Sequence, residues 1–222
     1  MANRSYLYAV DFDRTKGKRK EEEKIFGLSE YPYSIPLSFK ILVSQSPKAS
    51  HSIIWEYEYP IAIQGNFERG KQRLVDFLSN LSNENIFEKN ELDKQTAATV
   101  EFLNKHKLEN IFLECGEIYE MGNDELGEQN NTLFEEEILK IEEKIEEYTN
   151  DFKRMKFNIS KIKSEITELS KPRGFLSKLF SSDNAQKIIE LEEKVKNEEQ
   201  EMWNILGINY WSDVLYWHFD NK

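Results

Sequence analysis

The sequence predicts an α+β protein in three parts. A small mixed N-terminal domain of few strands with packed helices (residues 1–131) leads into a long antiparallel coiled-coil hairpin (132–206, tip 171–183). A C-terminal segment (207–222) then returns to the first domain. Three observations predict this. Between residues 134 and 169 the large apolar side chains fall at Phe134, Ile138, Ile141, Ile145, Tyr148, Phe152, Met155, Ile159, Ile162, Ile166 and Leu169, stepping alternately by four and three. That is the 3.5-residue period of a coiled-coil seam, which demands a partner helix alongside. A second run, Ile188, Leu191, Val195, Met202 and Ile205, keeps the alternation with only Glu198 interrupting it. Before residue 131, short aromatic and β-branched stretches mix with one-sided helical patterns.

Taken in order, residues 4–10 (RSYLYAV) read as a first strand and the charged stretch DFDRTKGKRKEEEK as a solvated loop. IFGLSEYPY at 25–33 reads as irregular. In IPLSFKILVS, Ser34 as a cap and Pro36 in the first turn favour a short helix burying Leu37, Ile41 and Leu42. SIIWEYEY at 52–59 reads as the clearest strand after the first, and 61–63 as a short one ending at Gly65. Leu74, Phe77, Leu78 and Leu81 place a one-sided helix over 67–81 with Asn66 as its cap. A further helix covers 91–107, NIFLEC at 110–115 returns as a strand, and the glycine- and asparagine-rich stretch 116–131 is a loop.

The long helix, roughly 54 Å at about 1.5 Å per residue, exceeds the second at about 33 Å. The seam from 134 to about 148 must therefore bury itself elsewhere, and the N-terminal domain is the place. Basic residues of the distal first helix (Lys153, Arg154, Lys156, Lys161, Lys163) would face the acidic second helix (Glu190, Glu192, Glu193, Glu198, Glu199, Glu201). Such exposed pairs set register more than stability, at ~0.3–0.5 kcal/mol each. Pro172 stops the first helix and Gly207 the second. The apolar ending INYWSDVLYWHFD returns as a turn and short strand to the N-terminal core.

The 222 residues carry a net charge of -11. Thirteen acidic residues against Lys140 and Lys144 between Glu114 and Glu147 account for all of it. A ligand such as nucleic acid needs a basic footprint, so this balance excludes it and favours a basic partner. The chain has no apolar run long enough to span a membrane and no signal-like core near its start. Its single cysteine, Cys115, fits a reducing cytoplasm, and is read as a small buried residue. His51, His106 and His218 form no metal-ligand pair, so no metal is expected.

One catalytic motif stands out. Ala9-Val10-Asp11-Phe12-Asp13-Arg14-Thr15 resembles the first motif of the haloacid-dehalogenase-like phosphatases, a strand followed by D-x-D-x-T. The resemblance implies Asp11 as nucleophile, Asp13 as acid/base, Mg²⁺ as cofactor and a doubly wound parallel sheet. The β-then-αα pattern offers no such sheet, and the chain is read as a non-enzyme without cofactor.

Two surfaces are candidates for partner binding. One is the acidic run Glu135, Glu136, Glu137, Glu142, Glu143, Glu146 and Glu147. The other is the hairpin tip, where Phe175, Leu176, Leu179 and Phe180 are ringed by Lys171, Arg173 and Lys178. The phrases MANRSYLY, IPLSFKILVS and YPIAIQGNF resemble a family of small bacterial proteins of uncharacterised role. In being acidic and of mixed α and β structure the chain is similar in general type to immunity proteins, which bind and block a cognate toxin. That type implies a monomeric, cytoplasmic, non-catalytic protein whose partner is a basic toxin domain. The alternatives are an adaptor that pairs with another copy through Ile138 and Ile141, and the Asp11/Asp13 phosphatase.

Overall fold

A computed structural model describes residues 3–16, 23–171 and 181–219. By internal contacts it divides into two bodies, residues 1–145 with 206–222, and residues 146–205.

The first body is built on a five-stranded sheet of order β2-β1-β5-β4-β3, antiparallel throughout. β1 is Arg4–Val10, β2 Ile25–Pro32, β3 Lys48–Ser50, β4 Ala62–Asn66 and β5 Asn110–Glu114. Strand alternation sorts the side chains into two layers. Leu7 and Ala9 lie opposite Leu113 and Ile111, which in turn lie opposite Ile63 and Gly65. Tyr6 and Tyr8 lie opposite Glu114 and Phe112, and these opposite Ala62 and Gln64. Both layers are buried, so β1 is buried from Ser5 to Val10 without alternation.

Helices cover the first layer. α1 (Leu37–Val43) is buried at every residue, and its backbone at Val43 crosses so close to Gly65 that an added Cβ would sit 2.3 Å from the Val43 carbonyl oxygen. α2 (Phe67–Asn83) starts at Asn66, whose side chain accepts from the Arg69 amide at 3.0 Å. α3 (Lys89–Lys105) is capped by Glu88, which accepts from the amides of Asn90 and Glu91.

Three segments differ from the sequence reading. Residues 25–33, read as irregular, form β2. Its pairing with β1 slips at Leu7/Tyr8, and this bulge breaks the period-two pattern that reveals a strand. Residues 116–131, read as a loop, hold α4 (Gly116–Tyr119) and α5 (Leu126–Leu133). There Asn130 is buried and satisfied, accepting from the Tyr119 hydroxyl and donating to Ala62 O. Residues 52–59, read as the clearest strand, are not a strand. The Ile53 amide donates to Glu114 Oε1 (2.6 Å), and the Ile54 and Trp55 amides both donate to Ser52 Oγ. Side chains have taken the donors a strand partner would need.

The helix expected over 134–169 is also interrupted. Phe134–Ile138 is a π-helical turn, closed by the Leu139 amide on Phe134 O, and α6 runs only from Ile141 to Ser170. Here Ile138 and Ile141 are buried at 1% and 5% exposure. Glu137 pairs with the buried Lys40 of α1, and Arg73 of α2 pairs with Glu142. The near part of the seam thus buries itself in the first body.

The C-terminal segment stitches back to that body, though as an isolated bridge between Ser29 and Trp211 and not as a strand. Gly207 (φ 68°) ends α7 (Ser181–Leu206) in the left-handed conformation, and its carbonyl accepts from Ser38 Oγ. The Ser212 amide donates to Leu28 O, Trp211 Nε1 to Thr99 Oγ1, and the Tyr8 hydroxyl to Trp217 O at 2.7 Å.

In the second body, the seam residues Phe152, Ile159 and Ile162 of α6 and Val195 and Met202 of α7 are buried. Ion pairs that join the helices among the described residues include Lys163–Glu199 and Lys187–Glu165, both at 2.7 Å. The first has the expected sense, base on α6 and acid on α7, and the second the reverse. Glu198, at a seam position, keeps a buried Oε2 with no hydrogen-bond partner among the described residues. The tip residues Phe175, Leu176, Leu179 and Phe180 lie outside the described residues.

Candidate functional site

The second layer of the sheet carries the arrangement with most chemical content. Tyr6, Tyr8, Val10, Phe12, Ile25, Ala62, Phe112 and Leu215 form one buried cluster, with Ile53, Ile54, Trp55 and Phe219 packed against it. The segment 52–59 and the C-terminal segment together roof this layer. Trp55 lies over Gly116, where an added Cβ would sit 2.7 Å from its ring, and Tyr59 lies over Gly127 in the same way at 2.8 Å. The two segments meet where the Trp55 and Trp217 rings stand edge to face, centroids 6.2 Å apart. Tyr216 packs on Trp217 at 5.5 Å and Tyr57 on Tyr59 at 5.8 Å.

The outer rings are left open to solvent. Tyr57 is 39% exposed, Tyr59 38%, Tyr216 51% and Trp217 40%. Exposed aromatic rings held on a packed body are what protein interfaces concentrate.

Carboxylates are set among these rings. Glu117 Oε1 accepts from the Tyr6 hydroxyl and from Trp217 Nε1, both at 2.9 Å, and Oε2 accepts from the Arg4 amide. Glu30 accepts from the Tyr216 amide and pairs with Arg4, whose guanidinium lies 5.5 Å over the Tyr216 ring. Below them Glu114 is fully buried, holding the Ile53 amide with one oxygen while the other has no hydrogen-bond partner among the described residues. Burial pushes its carboxyl up to about 8, against the lowering effect of the Ile53 amide, Ser52 and Arg14. Burial likewise pushes the Tyr6 and Tyr8 hydroxyls and the Cys115 thiol well up, so Cys115 is an inert buried residue.

The sequence-derived candidates fall elsewhere. Glu135 and Glu143 are exposed in the first body and Glu146 and Glu147 in the second. Glu136, Glu137 and Glu142 are engaged by Lys140, Lys40 and Arg73. Asp13 is committed to local structure: it accepts from the Thr15 amide and hydroxyl and pairs with Lys48 at 2.9 Å. Its partial burial would raise its carboxyl, but these partners hold it well below the usual range. Asp11 Oδ1 accepts from the Lys24 amide. The antiparallel sheet is not the doubly wound parallel one that the phosphatase resemblance implied. His106 is buried between Phe26 and Phe102, with Nδ1 3.0 Å from Phe102 O.

Sequence reasoning missed the aromatic roof because each half reads as a strand. The signal was present in two aromatic runs, WEYEY and YWHF, one mixed with glutamate and closed by Pro60, the other near the chain's end.

Among known families, one described as a domain of unknown function (DUF7822) has a model that matches residues 14–155. Comparison with curated proteins and with solved structures finds no match. No helix among the described residues is long and apolar enough to cross a membrane.

Proposed function

The chain belongs to this DUF7822 family, whose matched region takes in most of the sheet, and from that premise we propose that it is a non-catalytic protein-binding module. The cognate partner in this reading is a basic toxin domain that the chain neutralises in the manner of an immunity protein. One observation carries the proposal: the exposed rings of Tyr216 and Trp217 pack about Trp55, and the same roofing segment bears a second exposed ring pair, Tyr57 and Tyr59, with Glu117 bonded to Trp217 and Glu56 and Glu58 beside Tyr57. Large rigid rings lose little conformational freedom when covered, and acidic groups beside them speed and orient the approach of a basic partner. The exposed Glu135 and Glu143 would add to that attraction from the same body. Pairing of two copies through Ile138 and Ile141 has less support, because both residues are already buried.

The test is co-expression with the product of the adjacent open reading frame. The proposal expects the two proteins to elute as one complex and the chain to restore growth that the neighbouring product suppresses. Separate elution with no rescue would overturn it.

A further inference from the structure

The aromatic roof has an imbalance of charge that specifies its occupant. Glu56 and Glu58 are exposed on either side of Tyr57 and have no cationic partner among the described residues. Glu117 spends both oxygens on neutral donors, namely a hydroxyl, an indole N–H and a backbone amide. Glu56 and Glu58 thus alternate along the chain with Trp55, Tyr57 and Tyr59, Glu117 is bonded to Trp217, and among the described residues the cation placed on these rings is Arg4, which pairs with Glu30. Arg4 also shows how a cation fits, with its guanidinium over the face of Tyr216. A ring face attracts a cation, and a neighbouring carboxylate adds a charge-assisted hydrogen bond, so one side chain can satisfy both.

We propose that the surface formed by Trp55, Tyr57, Tyr59, Tyr216 and Trp217 takes an arginine-bearing segment of a partner protein, its guanidinium groups stacked on the rings and paired with Glu56, Glu58 and Glu117. Arginine suits the site better than lysine, because the planar guanidinium stacks and forks at once, whereas an ammonium is a compact, strongly hydrated charge. An acidic or purely apolar segment would leave the carboxylates uncompensated. The inference rests on the protein-binding reading above and identifies the surface and the partner chemistry within it.

The experiment is calorimetric titration of the full chain with three synthetic peptides of equal length, alternating glycine with arginine, lysine or glutamate. The arginine peptide should bind, the lysine peptide should bind more weakly, and the glutamate peptide should not bind. Tyr57→Ser with Tyr59→Ser, and separately Trp217→Leu, should each weaken arginine-peptide binding by about fivefold or more, the factor expected from losing one such contact. Glu135→Gln with Glu143→Gln should leave it unchanged. Circular dichroism of each variant separates lost binding from lost fold, and the exposed tyrosine pair keeps the test available if Trp217→Leu unfolds the chain. Equal binding of the arginine and lysine peptides, or loss only in the Glu135/Glu143 variant, would overturn the assignment. A co-purifying partner whose binding ignores the tyrosine pair would sink this inference alone and leave the protein-binding reading standing.

Discussion

Gly70→Ala should destabilise the protein by at least ~3 kcal/mol, against the sign expected from helix propensity. Gly70 sits inside the first turns of α2, where alanine would ordinarily stabilise a helix by about 1 kcal/mol. Here an added Cβ would stand 1.9 Å from the Leu42 carbonyl oxygen and 2.9 Å from its carbonyl carbon. Both are backbone atoms of a helix buried along its whole length, so no side-chain rotation relieves the overlap. α1 and α2 must separate, and α1 is also the element against which Gly65 of β4 closes. Gly122→Ala is the comparison, since the nearest atoms to its added Cβ belong to the Gln129 side-chain amide, which can shift at the cost of its hydrogen bonds to Tyr119 O and Asp124 O. Urea denaturation of the two variants should show a large loss for the first and a clearly smaller one for the second. A Gly70→Ala protein as stable as the parent would mean that the two helices do not approach as described.

Glu114→Gln should remove a pH dependence of stability that the parent protein shows between about pH 5 and about pH 8. The carboxyl lies at about 8 in the folded state, against an ordinary value of 4.5. Across that window the folded chain keeps the proton and the unfolded chain has lost it. Unfolding therefore releases a proton, and stability falls as pH rises, levelling above the folded value. Asp13 works in the opposite direction: its lowered carboxyl contributes stability above its ordinary value, lost as pH falls through that value and below. For Glu114 the full effect has an upper bound of about 5 kcal/mol. Glutamine keeps an acceptor for the Ile53 amide and carries no proton to lose. Denaturation midpoints across the window should slope downward for the parent and flatten for the variant. Equal slopes would assign the pH dependence elsewhere.

Glu114 also shows why part of the fold was legible in the sequence and part was not. β1 was readable because RSYLYAV carries strand-forming side chains on both faces of a fully covered strand. α1 was readable through Pro36, although Pro36 and not Ser34 stands at its N-cap, and α2 through Asn66 followed by a one-sided apolar pattern. These are local signals, and the structure places elements where they stood. Residues 52–59 carry an equally good local signal, yet Glu114, 61 positions from Ile53, takes the amide a strand partner would have used. Nothing near Ser52 in the sequence announces that contact. The same holds for the π-helical turn at Phe134–Ile138: the four-three alternation runs through it unchanged, while Lys40 pairs with Glu137 on the other side. The acidic run was legible as charge but not as surface, because Glu137, Glu142 and Glu136 within it are engaged by Lys40, Arg73 and Lys140. The aromatic site needed two segments separated by most of the chain to be seen touching, at Trp55 and Trp217.

Hydrogen exchange of the full chain, free and in complex with its captured partner, bears most directly on the claim that these two segments form the binding surface. On this account exchange slows on binding across residues 52–60 and 211–219, while residues 134–147 keep the rates of the free chain. Protection confined to 134–147, or to residues 171–183, with 52–60 and 211–219 unchanged, would contradict it.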